Sequence, residues 1–305
     1  MNPLALTKPE VIMNRSVLVL ALLVVLPSHS MQVAVSPNET LEIAERSAVV
    51  KIDGKLNESV WAGLDQYDEF VVIEPDTLVK PAHATWVSLF YNQRGLYVGV
   101  QVEQPPETRI ARLSSRDNRQ IKRDSVGMVL DTSGEGRYGY WFGINLGDAQ
   151  MDGTLLPEKQ FTSDWDGAWE GATSETQTGW TAEMFIPWGV VSMPKQAGTR
   201  RIGLYMERFV AYKDERWSWP ALPDTVPRFI SALQSVSVND VQPQQQYSIF
   251  PSASVTQDRI DGKTNYRAGA DFFWRPSTNL QLTATINPDF GVAESDDVVI
   301  NLSAT

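Results

Sequence analysis

Ten tryptophans in 305 residues are the side chains here best suited to chemistry. Trp165-Asp-Gly-Ala-Trp169 sets two indoles around a turn at Gly167. Trp217-Ser-Trp219-Pro220 sets two more on one face of an extended segment, because alternate strand residues share a face. Trp141 stands in an aromatic run with Tyr138, Tyr140 and Phe142, close to the amide of Asn145. Indole faces stack on the C–H faces of sugar rings, and planar amides, carboxylates and guanidinium groups bind ring hydroxyls. Arg116 and Asn118, in the polar and locally basic stretch Ser114–Asp124, could grip such hydroxyls; that stretch also reads as an exposed loop with local ion pairs. The candidate ligand-binding set is therefore Trp165, Trp169, Trp217, Trp219, Trp141, Asn145, Arg116 and Asn118. Trp165, Trp217 and Trp219 are open to either a binding or a core role, whereas Trp61, Trp86 and Trp180 read as core.

Carboxylates form a second group. Asp148, Asp152, Asp164 and Asp166 fall between Gly147 and Gly167. Calcium takes carboxylate oxygens and turn carbonyls, so these four are the candidate metal ligands. EF-hand spacing is absent, a solvated acidic loop remains the other reading, and no cofactor is required. Hydrolysis of a glycosidic bond needs two carboxyl groups about 5–5.5 Å or about 6.5–9.5 Å apart. No motif singles out such a pair among 37 acidic residues. His29 and His83 are the only histidines, and GxSxG, P-loop and HExxH motifs are absent. No catalytic residue is assigned. Zero cysteines exclude disulfides, thiolate zinc sites and cysteine nucleophiles. A net charge of -11 opposes phosphate backbones, so nucleic acid is not an expected partner.

The elements that must position these groups read as strands. Thr85–Tyr91 and Gly95–Val102 alternate about the turn Asn92-Gln-Arg-Gly95 and predict a hairpin. Further strands are expected at Asp124–Asp131, Gly139–Leu146, Gly179–Ile186, Arg201–Val210 and Ser235–Val238, and one helical stretch at Pro187–Met193. Asp53-Gly54 marks a turn, and Asn57 is placed to cap a short helix carrying Val60 and Trp61 inward. Residues 35–46 read as a linker or edge segment. Short strands with frequent turns predict an all-β fold, an antiparallel β-sandwich over residues 46–240.

Both ends differ from this middle. Lys8 and Arg15 precede the apolar run Ser16–Leu26 and Pro27. The run is shorter than the roughly 20 residues of a membrane helix. Residues 1–34 thus read as an export signal, with a buried helix as the alternative. After the polar stretch Val241–Gln246, strands are expected at Tyr247–Gln257, Asn265–Pro276, Leu280–Phe290 and Val298–Ala304. Alternating segments of about ten residues fit the wall of a transmembrane β-barrel and equally a soluble hairpin sheet. Three or four strands fall short of the roughly eight a barrel needs, so they either pair with something else or begin a longer protein.

Ile52-Asp-Gly-Lys-Leu-Asn-Glu-Ser-Val-Trp61, Leu96-Tyr-Val-Gly-Val100, Asp124–Asp131, Trp165–Trp169, Gly179–Pro187 and Arg201–Tyr205 resemble, in order and spacing, carbohydrate-binding module family 9-like domains. The tail Ile286-Asn-Pro-Asp-Phe-Gly-Val-Ala-Glu-Ser-Asp296 to Asn301-Leu302 resembles the start of an outer-membrane barrel that follows this sandwich in an uncharacterised family of bacterial envelope proteins. The chain departs from that family at its end, where Ser303 and Ala304 stand in place of a Phe-Glu pair. The resemblance implies a jelly-roll-like sandwich, then an incomplete barrel over residues 247–305, as the front of a longer protein. It implies an exported protein of the cell envelope, in the outer membrane or periplasm. The implied partners are a poly- or oligosaccharide and, through the C-terminal strands, the outer membrane, with structural calcium as an option. Two alternatives stay open: a structural or gating domain without a sugar ligand, and a glycoside hydrolase of carbohydrate catabolism.

Overall fold

The computed structural model describes residues 39–242, 246–257, 264–277 and 280–286. Among them are β1 (Leu41–Glu42), β2 (Ala44–Glu45), β3 (Val71–Glu74), β4 (Thr85–Tyr91), β5 (Gly95–Glu103), β6 (Ser125–Asp131), β7 (Gly139–Asn145), β8 (Gln150–Leu156) and β9 (Gln160–Thr162). They continue with β10 (Glu170–Glu175), β11 (Gly179–Pro187), β12 (Thr199–Val210), β13 (Glu215–Trp219), β14 (Gln234–Asn239), β15 (Gln246–Gln257), β16 (Thr264–Ser277) and β17 (Leu280–Ile286). No α-helix occurs among the described residues, and none of their helices is long and apolar enough to cross a membrane.

The molecule is all-β, and its core lies between two sheets. The larger sheet runs β1-β14-β12-β6-β7-β8-β9, with β13 pairing β12 and β3. The smaller runs β10-β11-β5-β4-β2. The expected hairpin is β4–β5, with Tyr91 opposite Leu96 and Thr85 opposite Val102. Pairing is antiparallel except for two short contacts, β1 with β14 and β2 with β4. Through them the segment Leu41–Glu45 edges both sheets in turn, as an edge segment was expected to do. Strand alternation fills the layer between the sheets. Val126, Met128 and Leu130 of β6, Phe142 and Ile144 of β7, and Val98 and Val100 of β5 are all buried there. Trp180 and Trp188 are wholly enclosed.

Two local expectations change. The segment after Pro187 is a turn rather than a helix, because Gly189, paired β-branched Val190 and Val191, and Pro194 leave no run of helix formers. Asn57 does not cap the short helix Trp61–Gly63; Val60 precedes it, with no side-chain cap bond. A third sheet, β15-β16-β17, carries the first three strands expected in the tail. The expected signal segment and the strand Val298–Ala304 lie outside the described residues.

Candidate functional site

The outer face of the larger sheet carries a cleft of about 420 Å³. Alternation places its walls. On β7, Tyr140, Phe142 and Ile144 enter the core, so Trp141 faces outward, where it is half-buried. On β12, Leu204 and Met206 enter the core, so Glu207 and Phe209 face the cleft. Phe161 of β9 stands edge-on to Trp141, with ring centroids 5.7 Å apart at 88°. Glycines floor the two rings. A Cβ on Gly143 would meet the Trp141 indole at 2.6 Å, and one on Gly153 would collide with the Phe161 ring.

Polar groups converge on this aromatic corner. The indole Nε1 of Trp141 donates to Glu207 Oε1 at 2.8 Å. Arg216 donates to the other oxygen of Glu207 at 3.1 Å and to Glu74 at 3.3 Å. The Glu207 carboxylate holds the Arg216 guanidinium well above its ordinary range. Arg119 lies over both rings, its guanidinium carbon 3.7 Å from the Phe161 centroid and 4.7 Å from that of Trp141. Arg123, also lining the cleft, is buried and donates to the Asn118 carbonyl at 2.7 Å. Burial pushes both guanidinium groups below the usual arginine range. Glu207 is the one carboxylate among the lining residues, and both its oxygens are engaged. The cleft thus offers aromatic faces and outward N–H donors rather than a pair of free carboxyl groups.

Of the eight residues expected to bind ligand, Trp141 and Asn118 line this cleft. The others lie elsewhere. Trp217 and Trp219 do share a face, but that face is the core: they are 0% and 3% exposed. Arg208 covers the Trp217 ring, and Trp219 stacks on Tyr67 at 5.0 Å. Ser218 between them takes the opposite side of the strand and is itself buried, while burial of their larger apolar surface holds both indoles in the core. Trp169 is buried and donates to Asp152 Oδ2 at 2.7 Å. Trp165 is half-buried, packed on Tyr140 and Phe142. Asn145 is buried and donates to the Ala149 carbonyl at 2.6 Å, closing the β7–β8 turn. Arg116 is spent in ion pairs with Asp117, Asp152 and Asp166.

The four candidate metal ligands do not converge. Asp148 accepts from the backbone and hydroxyl of Thr173, and Asp164 from the hydroxyl of Thr162. Asp152 and Asp166 do approach one another, joined by Asp117, which the sequence reading left out. The Arg116 guanidinium already pairs with all three carboxylates, and Asp152 also accepts from Gly167 and Trp169. A cation bound here would have to displace that arginine, so the residues do not fit calcium in the expected way.

The cleft residues that the sequence reading missed are Arg119, Arg123, Phe161, Glu207 and Arg216. Arg119 and Arg123 lay in the basic stretch read as an exposed loop. Glu207 was within reach, since inward Leu204 and Met206 set the parity of β12. Phe161 carried no such signal, because β9 was not recognised as a strand; Arg216 adjoins the extended segment Trp217–Trp219, and its outward side follows only once those indoles are placed in the core.

No protein-family model matches this chain, and no curated protein matches it. Solved structures do. A candidate carbohydrate-binding protein from Bacteroides uniformis ATCC 8492 is 14% identical at a TM-score of 0.52, covering 65% of this chain and 98% of that one. Two structures of a family 9 carbohydrate-binding module from Caldicellulosiruptor kristjanssonii, with cellotriose and with glucose, are also 14% identical. Their TM-scores are 0.46 and 0.47, each covers 68% of this chain, and 95% and 97% of the modules are covered. At this identity the likeness is one of fold, the β-sandwich.

Proposed function

We propose that this chain binds carbohydrate without transforming it, through the cleft at Trp141. The observation that carries the reading is the corner of Trp141 and Phe161, whose rings stand beside the bonded Glu207–Arg216 pair and the stacked Arg119. An aromatic face takes the C–H side of a sugar ring, and fixed donors and acceptors at its edge take the hydroxyls. A single, fully bonded carboxylate favours binding over hydrolysis, which requires two carboxyl groups in play. The Bacteroides uniformis protein of like fold is itself a candidate carbohydrate-binding protein, which supports the same reading.

The proposal extends to location. Residues 1–34 serve as an export signal, the sandwich sits in the bacterial envelope, and the strands from Tyr247 onward tether it to the outer membrane. Support comes from the third sheet, where Tyr247, Ile249, Tyr266 and Leu282 are exposed apolar residues. The test is a calorimetric titration of the full chain with a panel of oligosaccharides, repeated with Trp141→Ala. Saturable binding lost in that variant is expected. Failure of the folded chain to bind any glycan of the panel would overturn the proposal.

A further inference from the structure

We infer that the saccharide held by this cleft is acidic, a sugar chain bearing carboxylate or sulfate-ester groups. The inference rests on the carbohydrate-binding reading above and deepens it. Its basis is a charge imbalance built into the cleft wall. Four cations line the cleft, Arg119, Lys122, Arg123 and Arg216, against the single carboxylate of Glu207. This occurs on a chain whose net charge is -11, so the cleft has the opposite sign to the molecule.

Two of those cations are already answered. Arg216 pairs with Glu207 and Glu74, and Lys122 pairs with Asp214 at 2.7 Å. Arg119 and Arg123 are not. Arg119 has no hydrogen bond or ion pair among the described residues; it is held only by the faces of Phe161 and Trp141. Asp117 and Glu207 act on it through space without touching it. A guanidinium carries its N–H donors in its own plane, where a planar oxyanion can accept two at once. Arg123 is the stronger sign. It is 3% exposed, and among the described residues its Nη1 has no acceptor and its Nη2 reaches only the Asn118 carbonyl and the Met151 sulfur. A buried charge without a counter-charge is costly, and an anion brought into the cleft would answer it. Glu207 cannot do so, being bound to Arg216 and Trp141. The same rings that suit a sugar face make the anion a substituent on a sugar.

The test is a titration of the full chain with four probes of like length. They are an oligogalacturonate, its methyl ester, a sulfated galacto-oligosaccharide and a neutral galacto-oligosaccharide. The ester keeps ring and linkage and removes only the charge. The expected result is binding of the galacturonate or the sulfated probe roughly tenfold or more tighter than of the ester and the neutral chain, the scale of a charge-assisted guanidinium contact. Which anion binds tighter identifies the source. Arg119→Gln should remove most of that advantage, lowering affinity for the acidic probes far more than for the neutral chain. Arg119 is exposed and not part of a bonded network, so this variant keeps the test sound should Arg123→Gln fail to fold. Equal affinity for all four probes would overturn the inference while leaving sugar binding intact. No binding of any probe would overturn both.

Discussion

Trp141 and Trp217 lie on opposite faces of one sheet, and truncating each should move a different observable. Trp217 is fully enclosed and donates to Glu215 at 2.8 Å. Trp217→Ala leaves a large void and is expected to cost about 3–5 kcal/mol of stability, read by denaturant unfolding. Trp141 is half-buried and borders the cleft. Trp141→Ala should lower saccharide affinity roughly tenfold or more, as for an aromatic anchor at an interface, with a smaller loss of stability. If binding falls as much in a Trp217→Phe variant that folds, the cleft is not the site. Gly143→Ala gives a finer check. Its new Cβ would press on the indole at 2.6 Å, so the ring must tilt, and affinity should drop without loss of any polar contact.

At the scale of elements, the turn at Asp53-Gly54 shows how a loop is fastened to a sheet. Both backbone N–H groups donate to Glu183 Oε2 at 3.0 Å, and Trp61 Nε1 donates to Oε1 at 3.1 Å. Glu183, in the middle of β11, is wholly buried, and burial pushes its carboxyl up to about 7 despite those donors. The sign follows from linkage. Between an unfolded value near 4.5 and the folded value near 7, the native state holds a proton that the unfolded chain has released. The Glu183 contribution to stability is therefore full below about pH 4.5 and is lost as pH rises through about 7, an effect on the order of 3 kcal/mol. Urea unfolding from pH 4.5 to 8 should show this decline in the native chain and not in Glu183→Gln. Parallel curves would refute it. Strand positions in this region were legible, because alternation over Gly179–Ile186 and Thr85–Val102 is nearly unbroken. The partner of Glu183 was not, since it sits 129 residues away at Gly54 and only the fold brings the two together. The same holds for the cleft: Trp141 was singled out in the aromatic run of β7, whereas β9 and β13 are short strands whose place is fixed by their neighbours.

At the scale of the whole molecule, the third sheet is distinguished by its surface. Tyr247 of β15 pairs with Trp274 of β16, which pairs with Leu282 of β17, and Val255 pairs with Tyr266. With Ile249 and Ile286 these exposed side chains make one apolar face, while Thr283 and Thr285 of β17 alternate to the other side. Soluble proteins rarely leave so continuous a patch uncovered. In the proposed tether this face meets lipid. A lysine on a lipid face costs about 2–4 kcal/mol at mid-bilayer and about 0–1 kcal/mol near the interfaces. Ile249→Lys and Leu282→Lys should therefore reduce recovery of the full chain with phospholipid vesicles in flotation, whereas Thr283→Lys, on the opposite side, should not. The pair of outcomes separates lipid contact from general stickiness: an apolar sheet adhering by either side would lose recovery equally in all three variants. Saccharide binding at the cleft should be the same in all three, because Trp141 and Arg119 belong to a different sheet and its adjoining loop. A variant that lost both together would show that the tether and the cleft are not independent parts of the molecule.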